Sequence, residues 1–242
     1  GADVEIGAYS LVGEHVEVGD GTRVGPNVVI NGHTRIGAGN RIFQFCSIGE
    51  EPQDKKYAGE PTRLEIGDHN VIREFCTLNT GTAQDLGVTR LGHHNWIMAY
   101  VHIAHDCVVG DHTIFANNAT LAGHVHIDDH AILGGFTGVH QFCRIGAHVI
   151  TGIASVVRQD VPPFLTVAGN PLAPHGVNSE GLKRRGFSPE ALAGLKRAYK
   201  TLYKSGLSLA EAQTAIAAEA EKLPELKPLA DFLANAGRGI VR

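Results

Sequence analysis

Aromatic side chains are scarce in this sequence, at 6% of 242 residues. A large core can form without them, but it must be built from Val, Ile, Leu and Ala. Basic residues are not in excess either. Twenty-one Lys and Arg against 25 Asp and Glu leave a formal net charge of −4. That argues against a general nucleic-acid binder, because phosphate binding needs a broad basic face. No apolar run reaches membrane-spanning length and no secretory signal is read, so a cytoplasmic protein without stable membrane insertion is the expectation. An initiating Met is also missing. The chain starts at Gly1, already in register with the pattern described next, so removal of an N-terminal piece is expected.

Aliphatic residues recur every six positions. They stand at Ile6, Val12, Val18, Val24, Ile30, Ile36, Ile42 and Ile48, return at Ile66, Ile72 and Leu78, and run again from Leu91 to Val157, with Thr151 as the exception. Four positions after each, the side chain is usually small, as at Cys107, Thr113, Ala119, Ala131 and Cys143. A helix repeats at 3.6 and a simple strand at 2, whereas a period of six fits a hexapeptide-repeat parallel β-helix. An antiparallel sandwich would instead need turn signals every 8 to 12 residues. Resemblance to known hexapeptide proteins implies the left-handed, triangular form. There three hexads complete a coil, and residues 18 apart stack at roughly 4.8 Å. Thirty glycines fit a chain with many tight turns. Two polar segments break the register, "EEPQDKKYAGEPTR" at 50–63 and "TGTAQDLGVT" at 80–89, and both read as loops ejected from the coil.

Cysteine is rare as well. Cys46, Cys76, Cys107 and Cys143 all hold the small, inward position of the hexad and read as buried hydrophobes. Cys107 and Cys143 are two coils apart, about 10 Å of stacking, which a disulfide does not span. After "QDVPPF" (159–164) the period is lost. Pro162, Pro163, Pro171 and Pro174 mark a connector, and helical signals follow. Ser188-Pro189-Glu190 supplies an N-cap, a first-turn proline and an acid. Ser208 to Glu211 is a capping box, and Gly206 and Gly237 stand where helices would stop. The division is therefore a β-helix over 1–170 and a C-terminal helical domain over 171–242.

Ten of the 14 histidines fall between 93 and 148. His112, His126, His130 and His148 read as solvated coil faces, and His93 and His94 as corner residues. Stacking by 18 singles out others: His105 lies below Gly123 and then Gln141, Asp106 below His124, and Ala122 below His140, with His102 half a hexad before His105. An imidazole near neutral pKa suits general-base work. A glycine lets a ligand approach its backbone N–H, which can stabilise an oxyanion. No Ser or Cys stands beside His105 as a nucleophile, so the pattern points to direct transfer onto a substrate hydroxyl. Zinc bound by imidazoles of adjacent coils is the rival reading, although a third ligand with matching spacing is not found. A coil without chemistry is a further alternative.

The segments "HIAHDC" (102–107), "ANNATLAGHV" (116–125), "GVHQFC" and "IGAHV" (138–149), "QDKKYAGEPTR" (53–63) and "EGLKRRGF" (180–187) together resemble the acyl-carrier-protein–UDP-N-acetylglucosamine O-acyltransferases, which open lipid A biosynthesis. The resemblance implies a homotrimer with sites between subunits. It implies transfer of an (R)-3-hydroxyacyl group from acyl carrier protein to the 3-hydroxyl of UDP-N-acetylglucosamine. It calls for no metal or resident cofactor, the donor being carried on phosphopantetheine. It assigns His105 as general base, Asp106 as its partner and the Gly123 N–H as oxyanion donor. Adjacent residues of a strand point to opposite faces, so the His105–Asp106 pairing requires a corner there. Asp54, Lys56, His102 and Gln141 fall around the sugar and acyl group. His124 and His140 match positions needed for activity, and Asn178, Glu180, Arg184 and Arg185 match the nucleotide end. Ile153 holds the acyl-measuring position, where a bulky residue implies a shorter donor. Asn79-Thr80 and Pro171 depart from the residues usual in that family. A coenzyme A-dependent sugar acetyltransferase on the same coil is the enzymatic alternative.

Overall fold

The structure is a computed structural model and describes residues 1–236 and 239–242. Very short strands, mostly of two residues, wind into three sheets of ten, eight and seven strands, parallel throughout except for the last strand of the first. As far as Ile150–Thr151 in the first sheet, and throughout the other two, each strand pairs with the one three strands later. Partners are 18 residues apart where the coil is unbroken, as for Trp96 and Ile114. They are 30 apart across the first ejected loop, as for Arg41 and Val71, and 25 apart across the second, as for Val71 and Trp96. The loops therefore lengthen the chain without interrupting the ladder. The strands Ser47–Glu50, Arg63–Ile66, Thr77–Asn79 and Val88–Leu91 set their limits at 51–62 and 80–87, slightly inside the segments read from the sequence.

The hexad aliphatics fill the prism. Ile30, Ile36, Ile48, Ile72, Leu78, Ile97, Ile103, Phe115, Leu121 and Leu133 are all buried. The inward small position holds the four cysteines, free and buried, and burial pushes the Cys107 thiol up to about 12. A thiol held as Cys107 is remains protonated and inert. Asparagines occupy the same position on a neighbouring edge: Asn70 donates to Asn40 Oδ1 and accepts from the Asn95 amide.

Corners make the turns. At nearly all of them one residue takes positive φ, and non-glycine residues do so repeatedly: His94 at 56°, Asp106 at 57°, His112 at 57°, His124 at 63°, His130 at 61°, Phe142 at 64° and His148 at 61°. L-residues rarely adopt that conformation. On the corner between the third and first sheets, His69, His94, His112, His130 and His148 stack face to face with centroids 4.8–5.1 Å apart. Phe164 and Phe187 close the column over His148. His112 and His126 are exposed as the sequence suggested, but His130 and His148 are half-buried members of this column. The stacking interval that brings the site together also aligns these rings.

The sheet continues past residue 170. Leu165–Ala168 joins the first sheet, and Ala173–Val177 adds an antiparallel strand to it. The helical region therefore begins at residue 179, as α1 (Ser179–Arg184), α2 (Pro189–Tyr203), α3 (Leu209–Ala220) and α4 (Lys227–Ala234). Ser188 caps α2, and Ser208 with Glu211 forms the capping box of α3. Gly206 follows α2 at φ 76°, while Gly237 lies outside the described residues. Leu182, Leu195, Leu202, Ile216, Leu229 and Phe232 form a second core. Among the described residues no helix is long and apolar enough to cross a membrane.

Burial, with His130 and Arg185 nearby, pushes the His148 pKa down to about 4. An unfolded imidazole titrates near ~6.5, so acid favours the unfolded chain, which binds the proton more readily. This contribution to stability is intact above about pH 6.5 and is lost as pH falls toward 4. His148→Phe keeps the column and removes the proton site. Its melting temperature should fall less than that of the unsubstituted chain between pH 7 and pH 4.5, and an unchanged slope would refute this origin.

Candidate active site

His105 ends one edge of the prism and Asp106 is the corner residue that follows it. Because the backbone turns at Asp106, the two side chains converge, with His105 Nδ1 2.9 Å from Asp106 Oδ2. The corner thus supplies what an extended strand could not. Asp106 is fully buried, which alone would push its pKa up. Hydrogen bonds from His105 and Thr82 outweigh that and hold it below the usual carboxylate range. The Thr82 hydroxyl donates to Oδ2 at 2.6 Å and its amide to both oxygens at 3.0 Å. Thr89 Oγ accepts from the Asp106 amide. An ionised acceptor here draws the proton of His105 to Nδ1 and leaves Nε2 as the basic nitrogen.

Gly123 lies one coil above. A Cβ there would sit 2.6 Å from His105 Nε2 and overlap Cε1. The glycine is therefore required by the imidazole itself, a stronger reason than the ligand access inferred from the sequence. The Gly123 N–H has no acceptor among the described residues. The equivalent amides of His93 and Asp111, on another corner, are capped by Asp111 and Asp129. An imidazole nitrogen thus stands beside an open amide donor. His102, half-buried on the preceding strand, bonds Thr77 Oγ at 2.7 Å, and burial with the nearby His105 holds its pKa low. His124 packs edge-on to His105 with centroids 4.9 Å apart, and its Nδ1 meets Asp85 at 2.5 Å. Gln141 and His140 lie one coil further on, both exposed, with the Phe142 amide donating to the Gly123 carbonyl.

The remaining predicted residues do not join this cluster within one chain. Asp54 and Lys56 contact each other in the first loop, where Asp54 Oδ1 accepts from the Lys56 amide. Asn178 is buried as the N-cap of α1, and its amide donates to the His148 carbonyl. Glu180 pairs with Lys183, Arg184 is exposed, and Arg185 reaches the Gly181 carbonyl close to the histidine column. That places the tail residues on the corner between the third and first sheets, whereas His105 is on the corner between the second and third. Ile153, 75% exposed, is on the remaining corner. Asn79 and Thr80 are buried and tie the ejected loops together through the Glu51 carbonyl and Thr62.

The sequence reading missed Thr77, Thr82, Asp85 and Thr89. The only hint was their place in or beside a loop expelled next to the imidazoles. Ligand atoms of His105, Asp106 and His124 lie within 4.8 Å of one another, the grouping a metal would use. Both Asp106 oxygens already accept from Thr82, so coordination by that carboxylate would have to displace those bonds, whereas the pairing of each Nδ1 with a carboxylate leaves both Nε2 atoms uncommitted.

Residues 160–241 match the family described as UDP N-acetylglucosamine O-acyltransferase, domain 2. Residues 1–32 and 89–123 match the bacterial transferase hexapeptide family. An acyl-[acyl-carrier-protein]–UDP-N-acetylglucosamine O-acyltransferase of Thiobacillus denitrificans is 73% identical over 99% of this chain and 93% of its own. That of Herminiimonas arsenicoxydans is 65% identical over 99% and 93%. Among solved structures, the UDP-N-acetylglucosamine acyltransferase of Francisella novicida superposes with a TM-score of 0.98 at 45% identity, covering 99% of this chain and 88% of that one. The UDP-N-acetylglucosamine O-acyltransferase of Moraxella catarrhalis gives 0.97 at 48%, covering 99% and 93%.

Gly123→Ala puts a methyl group into the space of the His105 ring. The ring should leave Asp106, which a crystal structure of the variant would reveal, and a retained 2.9 Å contact would overturn the steric argument.

Proposed function

This chain belongs to the acyl-[acyl-carrier-protein]–UDP-N-acetylglucosamine O-acyltransferase family, and on that premise we propose that it moves an (R)-3-hydroxyacyl group from acyl carrier protein to the 3-hydroxyl of UDP-N-acetylglucosamine, the first step of lipid A biosynthesis. The observation that carries the mechanism is the His105–Asp106 pair beside the open Gly123 N–H. His105 Nε2 takes the proton of the sugar hydroxyl as its oxygen attacks the thioester carbonyl carbon. The carbonyl oxygen gains the negative charge and receives a hydrogen bond from the Gly123 amide. The intermediate collapses, the carbon–sulfur bond breaks, and the thiolate of the carrier leaves with the proton held by His105. Asp106 stays ionised throughout and steadies the imidazolium. The base and the oxyanion donor come from the chain and the donor arrives on its own phosphopantetheine, so the reading needs no metal or resident cofactor.

The reading extends to a cytoplasmic homotrimer. His105, the Arg185 region and Ile153 occupy three different corners of one prism. A ring of subunits makes heterologous contacts that bring one corner to a different corner of its neighbour. Exposed rings of Phe45, Phe75 and Tyr100, stacked on the Ile153 corner, suit such an interface. In that arrangement Asp54, Lys56, Asn178, Glu180, Arg184 and Arg185 complete the sugar–nucleotide site. The exposed Lys183 and Arg184 favour an acidic carrier protein.

His105→Ala should lower transfer to UDP-N-acetylglucosamine by about 10²–10⁴-fold with the melting temperature preserved; activity near the unsubstituted level would refute the base assignment. Ile153→Gly, assayed over a panel of 3-hydroxyacyl carrier-protein donors, should shift kcat/KM toward longer chains by about tenfold or more. An unchanged preference would remove Ile153 from acyl measurement.

A further inference from the structure

We propose that Asp85 is a positioning residue for His124, so that the site works with two imidazole–carboxylate pairs rather than one. The inference rests on the transferase reading for its effect on rate, and on geometry for its existence. His124 is held on three sides. One ring face lies on Phe142, with centroids 4.3 Å apart and planes within 8°. Its edge meets His105 at 88°. Its amide donates to the His105 carbonyl, and its backbone is locked at φ 63°. These contacts fix the plane of the ring but not which nitrogen carries the proton. Asp85 Oδ2, 2.5 Å from Nδ1, decides that. The other nearby carboxylate oxygen, Asp106 Oδ2, is 3.9 Å away, too far for a hydrogen bond, and its capacity is taken by His105 and Thr82.

With Nδ1–H given to Asp85, Nε2 of His124 is left as an acceptor beside the reacting centre. It takes a hydrogen bond from a hydroxyl or amide N–H of the bound sugar or acyl group. The second ejected loop thus serves both imidazoles. Thr82 steadies the carboxylate behind His105, and Asp85 three residues later orients its neighbour. Asp85 acts only through His124 and touches no substrate in this assignment.

The test compares the full chain with Asp85→Ala, His124→Phe and the double variant; Phe preserves the stack on Phe142. Asp85→Ala should reduce kcat/KM for transfer by about 10–100-fold, the loss typical when a group orienting an imidazole is removed. The double variant should be no more than about twofold below His124→Phe alone, since the two residues act as one unit. Nitrogen-15 spectra of labelled histidine should show the Nδ1–H form of His124 in the unsubstituted chain and an averaged tautomer pair in Asp85→Ala. Additive losses, or Asp85→Ala activity within twofold of the unsubstituted chain, would overturn the proposal. A protein that transfers no acyl group to UDP-N-acetylglucosamine would overturn the transferase reading instead. The spectra would then decide alone, with an unchanged His124 tautomer in Asp85→Ala counting against the pairing.

Discussion

The left-handed corner is the constraint on which this molecule depends. Strands of two residues turn through the triangle almost always by way of a residue at positive φ, and an L-side chain there costs roughly 1–2 kcal/mol. The chain accepts that cost at Asp106, His124, Phe142 and the column from His69 to His148. What offsets it is the coil above and below. Most corner amides donate to a carbonyl one coil away, as His124 does to His105, while that of Asp106 donates to Thr89 Oγ. Each ring finds another at about 5 Å, and such ring pairs contribute about 0.5–1.5 kcal/mol. The same corner converts neighbours in sequence into partners in space. Only there can His105 and Asp106, adjacent along the chain, share a proton.

Legibility followed the lattice. The period of six located the core aliphatics, the inward cysteines and the alignment of His105 with Gly123, because each is a property of equal spacing. The ejected loops were visible as gaps in that spacing. Their contents were not: nothing in "TGTAQDLGVT" tells that Thr82 folds back to Asp106 or that Asp85 reaches His124. Loop conformation is set by hydrogen bonds that no periodicity encodes. The strand Ala173–Val177 was hidden for a related reason. Two prolines and an irregular pairing register disguise an antiparallel strand as a connector. His130 and His148 looked like solvated residues because polarity was read without asking what lay 18 positions on.

Asn178 carries a structural role alongside its match to a nucleotide-contacting position. Its oxygen caps α1 and its amide group bonds the His148 carbonyl. It ties the tail to the histidine column, so its first effect is on where Arg185 stands. The electrostatics agree, since Arg185 is close enough to depress the titration of both His130 and His148.

The antiparallel strand Ala173–Val177 has one more consequence. A coil of parallel strands is a template without a natural end, since its last turn offers the same unpaired edge as every turn before it. Reversing the final strand and laying helices against it gives that end of the prism a shape unlike any interior turn. Fibre growth by head-to-tail addition needs both ends competent, so one mismatched terminus keeps a potentially endless architecture finite.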